Sequence, residues 1–367
     1  MPLVDDSVDE STPWLISELQ NRYVTTDHGF VLDNAFSNSP VWCLTCPGFE
    51  RWFSEIEAIM NQTLGRRLAH ASAESEEWRW SFAPPLPSKW IGQQKKRIKI
   101  VNEDWALRGL GQLTMLESTG STATIMVANR NHTALAAGMA NATWECIEEQ
   151  RFRFQWSDRG VGETVVEVTS DPRTIPVPKA PIFPWEDVAG NVVKEQAVFD
   201  RARHEADGFW TVEGNRMMFL SRDLLMRFES LATPYIEADS RSTDSRTKWS
   251  GIVDSEQNIF WDAMAEASRR QFMASGELVL IASPEHWIDV GRRHLSLLGL
   301  GKVGSAIQTD DYGGVEIVAP ALFHPAIAVG ILLGCWERAE GRAAKATWSV
   351  DELGHRIKIE SRREIAD

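Results

Sequence analysis

Two histidines stand at matching places in the sequence and are the first residues that could do chemistry. His132 precedes the apolar run TALAAGMANATWE, and His324 precedes PAIAVGILLGCWE. An imidazole at such a place can contact a ligand, and it can equally cap a helix or satisfy a backbone group in the core. The sequence leaves both interpretations open.

Four tryptophans recur beside these histidines. Trp144 and Trp336 end the two apolar runs, and Trp156 and Trp348 lie on the strands predicted to follow. An indole suits a ligand pocket or a protein interface, and it also anchors a core. The chain contains 16 tryptophans, a surplus that favours aromatic-lined pockets or interfaces over polar catalysis.

Carboxylates and thiols offer two further kinds of site. Glu145 and Glu337 each have a second glutamate three residues later, and this spacing on a helix favours a solvated face over acid-base work. Cys43 and Cys46 have the C-x-x-C spacing of a redox or zinc site, although no second C-x-x-C or C-x-x-H pair accompanies them. They are weak metal candidates, and a reduced structural pair is the favoured interpretation.

A glycine motif in LGLGKVGSAIQTDD matches the dinucleotide fingerprint, with Gly299, Gly301 and Gly304 in G-x-G-x-x-G order. That fingerprint needs a strand before the glycines and a helix after them. Here HWIDVGRRHLSLL predicts a helix before them, and SAIQTDDYGGVEIVA predicts two strands after them. The motif therefore does not predict a dinucleotide site.

An internal repeat explains these glycines better. A stretch that begins GLGQLTMLE at Gly109 aligns with one that begins GLGKVGSAI at Gly299. Beyond a two-residue insertion the offset is constant, so that His132 matches His324 at a distance of 192 residues (324 − 132), and the four tryptophans match in pairs. Such a long period predicts a duplicated domain rather than a solenoid.

The repeat sets the predicted domain organisation. Residues 1–170 form the first copy, the proline-rich residues 171–191 form an extended linker, and residues 192–367 form the second copy. The segment VVKEQAVFDRARHEAD (192–207) predicts a helix that opens the second copy.

The element pattern of each copy is β-β-α-β-β, preceded by helical segments such as 49–71 and 258–274. The two hairpins that end the copies turn at Gly162 and Gly354. The predicted fold class is α+β: two tandem copies of an antiparallel sheet covered by helices, packed as an intramolecular pseudo-dimer.

This order of G-L-G turn, paired strands, glycine-containing helix with a Trp-Glu end, and Gly-turn hairpin resembles the vinyl-4-reductase domain family. The resemblance covers residues 109–170 and 299–362. Those domains are similar to subunits of the TRAPP vesicle-tethering complex, and the resemblance implies α+β modules that bind small hydrophobic molecules or pair with one another. Many members carry two cysteines beside the last hairpin's glycine; neither hairpin here has one, which argues against a metal site of that kind.

Charge and hydropathy exclude several classes of partner. The net charge of −14 and the pI near 5.1 oppose nucleic-acid binding, and the one basic run, Lys95 to Lys99, is interpreted as a solvated edge strand or loop. The acidic N-terminus lacks a secretory pattern, so a cytoplasmic location is expected. The most apolar run, 320–336, is short for a membrane span and predicts a buried helix.

These observations lead to a functional expectation. No nucleophile elbow, P-loop, zinc-protease helix or EF-hand loop occurs in the sequence. We therefore expect a non-enzymatic module that binds a small hydrophobic molecule or a protein partner, as a monomeric pseudo-dimer or a further homodimer, with no cofactor identified. The alternative is an enzyme or enzyme accessory acting on a tetrapyrrole-like or aromatic substrate, with His132 or His324 as the polar contact.

Overall fold

The protein combines nine α-helices with mainly antiparallel sheets in the residues that the computed structural model describes, which are 11–88, 93–175, 179–183, 185, 188–194, 197–206, 208–236 and 245–362. The α+β class is therefore confirmed. Parts of the predicted organisation, namely residues 1–10 and 363–367 and the linker prolines Pro176, Pro178 and Pro184, lie outside these ranges.

The first half of the chain, residues 11–175, contains five helices and seven strands in its described part. They are α1 (Ser11–Arg22), β1 (Tyr23–Thr26), β2 (Val31–Asp33), β3 (Ser39–Thr45), α2 (Cys46–Met60), α3 (Gly65–Trp80), α4 (Gln93–Arg108), β4 (Gln112–Ser118), β5 (Thr122–Ala128), α5 (Thr133–Glu148), β6 (Phe152–Asp158) and β7 (Thr164–Ser170).

The second half, residues 188–362, begins with one short extra strand. It then repeats this order from its three-stranded antiparallel meander (residues 202–221) onward, with one added strand after its first helix. The corresponding meander of the first half is residues 23–45. The elements of the second half are β8 (Val192–Val193), β9 (Ala202–Ala206), β10 (Phe209–Val212), β11 (Asn215–Ser221), α6 (Arg222–Ala232), β12 (Thr247–Trp249), α7 (Ser255–Ser275), α8 (His286–His294), β13 (Ser305–Gln308), β14 (Val315–Ala319), α9 (Pro325–Glu340), β15 (Ala344–Asp351) and β16 (Gly354–Ser361).

Both halves contribute to one central sheet. Its seven strands lie in the order β8-β1-β2-β3-β11-β10-β9, and the antiparallel pair β3 and β11 joins the meander of one half to that of the other. Each half also has a sheet of its own: β4-β5-β7-β6 in the first, and β12-β15-β16-β14-β13 in the second, where only β12 pairs in parallel. Four strands of the second sheet thus repeat the order of the first.

The G-L-G turns fasten each half to the meander of the other. The backbone N–H of Gly111 donates to the carbonyl of Gly208 at 2.9 Å, and that of Gly301 donates to the carbonyl of Gly29 at 3.1 Å. Gly111 and Gly301 have φ of 108° and 115°, a region that side chains rarely allow. Gly301 of the fingerprint therefore serves a joint between the halves.

A second pair of glycines brings the long helices together. A Cβ on Gly138 of α5 would lie 1.9 Å from the carbonyl oxygen of Ala69 on α3, and one on Gly330 of α9 would lie 2.1 Å from that of Ala265 on α7. Only a residue without a side chain permits this approach. Both helix pairs are consequently packed backbone to backbone at the same place.

Helices also pack across the halves. Helix α2 lies against α7, and α6 lies against α3. The Trp52 indole N–H on α2 donates to the Ser268 hydroxyl on α7 at 2.9 Å in the buried core. The two halves therefore share one core in addition to one sheet.

Three expectations about local structure were wrong or incomplete. The segment 192–207 is not a helix: its described residues form β8, a short 3-10 turn and β9, because they complete the two edges of the central sheet. The basic run from Lys95 to Lys99 lies inside α4 instead of an edge strand or loop. Segment 49–71 contains two helices, since Asn61 ends α2 in a left-handed conformation.

The buried apolar helix predicted within 320–336 is confirmed as α9, and α7 and the two terminal hairpins lie where they were expected. In the part of the chain that the structure describes, no helix has the length and apolar character needed to cross a membrane.

Candidate functional site

Both ring nitrogens of His324 have polar partners. It is the N-cap of α9, where its Nδ1 accepts from the Ala326 N–H at 3.2 Å and its Nε2 lies 2.9 Å from the Glu229 carboxylate. The rings of Trp185 and Trp261 meet its imidazole edge-on at 5.4 and 5.0 Å. His324 thus has the position of a buried capping residue.

His132 lies at the equivalent place at the start of α5 but has fewer hydrogen-bond partners than His324. It makes no capping hydrogen bond, its Nδ1 is buried without a partner in the described residues, and its Nε2 lies 3.4 Å from the carboxylate of Glu50. Phe49 and Phe53 face it edge-on. Burial, with the nearby Arg130 guanidinium, lowers the pKa of His132 to about 4, so the imidazole is neutral near pH 7.

The tryptophans predicted with the histidines divide among different surroundings. Trp348 contacts Trp261, which in turn contacts His324, so these two predicted residues belong to one aromatic cluster. Trp336 donates to the Gly313 carbonyl at 2.7 Å and lines a cavity of about 180 Å³. In the described residues, ring contacts join neither Trp144 nor Trp156 to His132; Trp144 is buried in α5, and Trp156 stacks on Phe154.

Cys43 and Cys46 are buried at the end of β3 and the start of α2. Burial raises the pKa of both thiols, that of Cys46 to about 11, which opposes the thiolate that a metal or redox site requires. In the described ranges, no group of three or more His, Cys, Asp or Glu side chains is arranged to hold a metal ion.

Glu145 and Glu337 correct the expectation of a solvated helix face. Both are buried, and each accepts from the backbone N–H seven residues later, Phe152 at 2.8 Å and Ala344 at 2.9 Å. Partly buried arginines form ion pairs with both glutamates. The two glutamates therefore fix each α-helix to the strand that follows it, because a buried carboxylate needs both charge pairing and hydrogen bonds.

Two open grooves in the described residues are large enough to take a ligand. The first groove, of about 860 Å³, lies between the β2–β3 turn, the end of α3 with the proline segment after it, and α4. Its walls include Trp80, Phe82, Leu86 and Ile100. The second groove, of about 630 Å³, lies between the β10–β11 turn, the end of α7, α8 and the start of α2.

The floor of the first groove is ionic. Arg79 and Asp104 line it, with their charged groups 3.0 Å apart, and behind them Arg108 lies 2.7 Å from the carboxylate of Glu76. Arg22 bridges Asp104 to a further buried carboxylate. Burial alone would raise the pKa of Glu76, but the adjacent Arg108 and Arg79 outweigh it and lower that pKa to about 2. The carboxylates are therefore ionised and paired.

The floor of the second groove is aromatic. The rings of Phe272 and His294 meet edge-on at 5.1 Å, and Trp42 and Ile331 complete an apolar surface. Burial lowers the pKa of His294, so this imidazole is neutral near pH 7. The floor of the second groove therefore carries no charge.

The two floors occupy equivalent positions. Gly138 rests on Ser72 and Gly330 rests on Ser268, and the residues one helical turn later are Glu76 and Phe272. In the same way Asp104 and His294 each precede the first glycine of a G-L-G turn by five residues.

Sequence reasoning missed both grooves. The spacing of Glu76 with Arg79, and of Asp104 with Arg108, is the i,i+3 and i,i+4 spacing of helical ion pairs and could have indicated an ionic cluster.

Comparisons with known proteins give no match: no family model, no curated protein and no solved structure matches this chain.

Proposed function

We propose that this chain is a non-enzymatic binding module built from two fused homologous domains of the vinyl-4-reductase-like kind, and that its first groove takes a small neutral hydrophobic molecule. The observation that carries the proposal is the first groove itself. Its volume of about 860 Å³ lies within the range of about 300–1,000 Å³ that is usual for small-molecule sites.

The walls of the first groove favour an apolar ligand. Phe82 is 43% exposed and Ile100 is 36% exposed, although both are large hydrophobic side chains that gain by leaving water. The ionic floor does not call for a charged ligand, because its three arginines and three carboxylates compensate one another. A neutral ring or short aliphatic molecule matches both surfaces.

The fused pair is supported by the sheet and the joints. In the β3–β11 pair, the last strands of the two meanders lie side by side, and each G-L-G turn bonds to the meander of the opposite half. Covalent linkage raises the effective concentration of two surfaces that pair. In this proposal the second domain stabilises the first and supplies half of the shared core.

A hydrophobic fluorescent probe tests the proposal. N-phenylnaphthylamine is expected to bind the unmodified protein, and Ile100→Lys should weaken that binding at least about tenfold by placing a charge in an apolar wall. Ile288→Lys is the matched control, since Ile288 is also on a helix and is 41% exposed. Equal binding by the two variants, or no binding by the unmodified protein, would overturn the first groove as a hydrophobic site.

Native mass spectrometry of protein purified from its own host would then identify a retained molecule. A neutral organic ligand that is lost from the Ile100→Lys variant and kept by Ile288→Lys is the expected result.

The alternative, an enzyme or accessory for an aromatic or tetrapyrrole-like substrate, is favoured by one observation, the unpartnered Nδ1 of the neutral His132. The unpartnered ring nitrogen of such an imidazole can form a hydrogen bond with a substrate. If His132→Ala abolished conversion of a retained ligand while leaving its binding intact, the enzyme would replace the binding module.

A further inference from the structure

The second groove has a different balance of surfaces from the first. Its floor is aromatic and uncharged, with Trp42 and Phe272 at 3% and 7% exposure beside Ile331. An aromatic floor of this kind favours a ring, since ring pairs gain more than their buried area alone provides.

The rim of the second groove carries one guanidinium in excess. Arg201 is paired with Glu213, and Arg293 lies 3.4 Å from the carboxylate of Glu277. Arg51, on the second turn of α2, also lines the groove, is exposed, and has no ion-pair or hydrogen-bond partner in the described residues. Three arginines against two glutamates leave one positive charge, and it belongs to Arg51.

The second groove is assembled from both halves. Trp42 and Arg51 come from β3 and α2 of the first half, whereas Phe272 and Ile331 come from α7 and α9 of the second. The free guanidinium and most of the aromatic floor thus meet only because the halves are joined.

We propose that the second groove binds an aromatic carboxylate, with its ring system on Trp42 and Phe272 and its carboxylate on the guanidinium of Arg51. A guanidinium offers parallel N–H donors that match the two oxygens of a carboxylate. The site is independent of the first groove, whose floor is neutral by internal pairing and whose ligand carries no charge.

The test uses pyrenebutanoate and its uncharged analogue pyrenebutanol, followed by fluorescence anisotropy on the full chain. Pyrenebutanoate is expected to bind more tightly than pyrenebutanol, and Arg51→Gln should weaken pyrenebutanoate about tenfold while changing pyrenebutanol less than twofold, because only the carboxylate uses the charge. Arg66→Gln, on an exposed arginine at the start of α3, is the matched control and should change neither.

Further arms assign the groove and the head group. Pyrenebutanoate should still bind the Ile100→Lys variant with unchanged affinity, which separates this site from the first groove. The proposal would be overturned if Ile100→Lys lost pyrenebutanoate binding while Arg51→Gln kept it. It would also be overturned if Arg51→Gln and the unmodified protein bound pyrenebutanoate equally well. Tighter, Arg51-dependent binding of a pyrene phosphate would overturn the carboxylate as the head group.

Discussion

The floors of the two grooves lie at equivalent positions of the two halves, yet they are built from opposite chemistry. Beneath the first groove, Glu76 and Asp104 are ionised and held among arginines; beneath the second, Phe272 and His294 stand at the same positions as a neutral ring pair. Glycine contacts and G-L-G joints of the same kind lie beside both floors.

The fold therefore tolerates either floor as long as each is complete. Well-paired buried ions and well-packed apolar side chains of similar size stabilise a core to a comparable extent, whereas a buried charge that loses its partner is strongly destabilising. Either floor is therefore compatible with the fold, whereas Gly138 and Gly330 have to lack a side chain.

The largest expected effect comes from breaking the ionic floor. Glu76→Gln removes one of the two carboxylates that pair with Arg108 and Arg79, so that Asp104 alone remains to compensate them. It should lower the free energy of unfolding by about 3–5 kcal/mol. Urea denaturation at pH 7 measures it. Phe272→Leu, at the equivalent position, should cost only about 1 kcal/mol, since it keeps an apolar side chain of nearly the same size. Equal losses for the two variants would mean that the floors are not different in kind.

Acid should destabilise the fold through His132. The pKa of His132 in the folded protein, about 4, is lowered by burial and by Arg130, so the unfolded chain binds the proton more readily. Its contribution to stability is present above pH 6.5 and is lost as the pH falls from about 6.5 to 4, by on the order of 2–3 kcal/mol. His132→Gln should remove this dependence in urea denaturation at several pH values. An unchanged pH profile in the variant would contradict a buried neutral His132.

Substitution of the helix glycines tests what the halves have in common. Gly138→Ala and Gly330→Ala each place a Cβ against a backbone carbonyl and should each lower the free energy of unfolding by about 1–3 kcal/mol through overpacking. Thermal unfolding of the two variants measures the costs. A loss in one half alone would show that the backbone arrangements are less alike than the positions of Ala69 and Ala265 indicate.

The smallest effect is expected at the rim of the first groove. Lys96 lines that groove and is exposed, so Lys96→Gln should change stability by less than about 0.5 kcal/mol. It should also change the affinity for N-phenylnaphthylamine less than twofold, in contrast to the effect of Arg51→Gln on pyrenebutanoate. A large loss of probe affinity would show that the first groove, too, depends on a charge.

Much of each half was predictable because its signals are local. The apolar period of α9 and the alternation in the last hairpins both lie within short stretches of sequence. The meanders were missed because their strands are short. The segment of β8 and β9 was predicted as a helix because Val193, Ala197 and Ala202 are spaced as on a helix. The sheet edges that these two strands complete could not be seen from that local spacing.

The candidate site was less accessible from sequence. His132 and His324 look identical in the repeat, and what distinguishes them is Glu229, 95 residues before His324, together with Trp185 from the linker region. Likewise, Glu145 and Glu337 were predicted to be solvated because their spacing is that of an exposed face, and only the following strand shows that they are buried.

Local periodicity in the sequence specifies the α+β class, the long buried helices and the terminal hairpins. The folded structure was needed to show that the two meanders pair through β3 and β11, that each G-L-G turn docks on the other half, and that one groove has an ionic floor and the other an aromatic one. The strand pair and the two joints connect segments 97 residues or more apart in the chain (208 − 111), and each floor joins residues from different helices. Local patterns carry no information about which of these surfaces will meet.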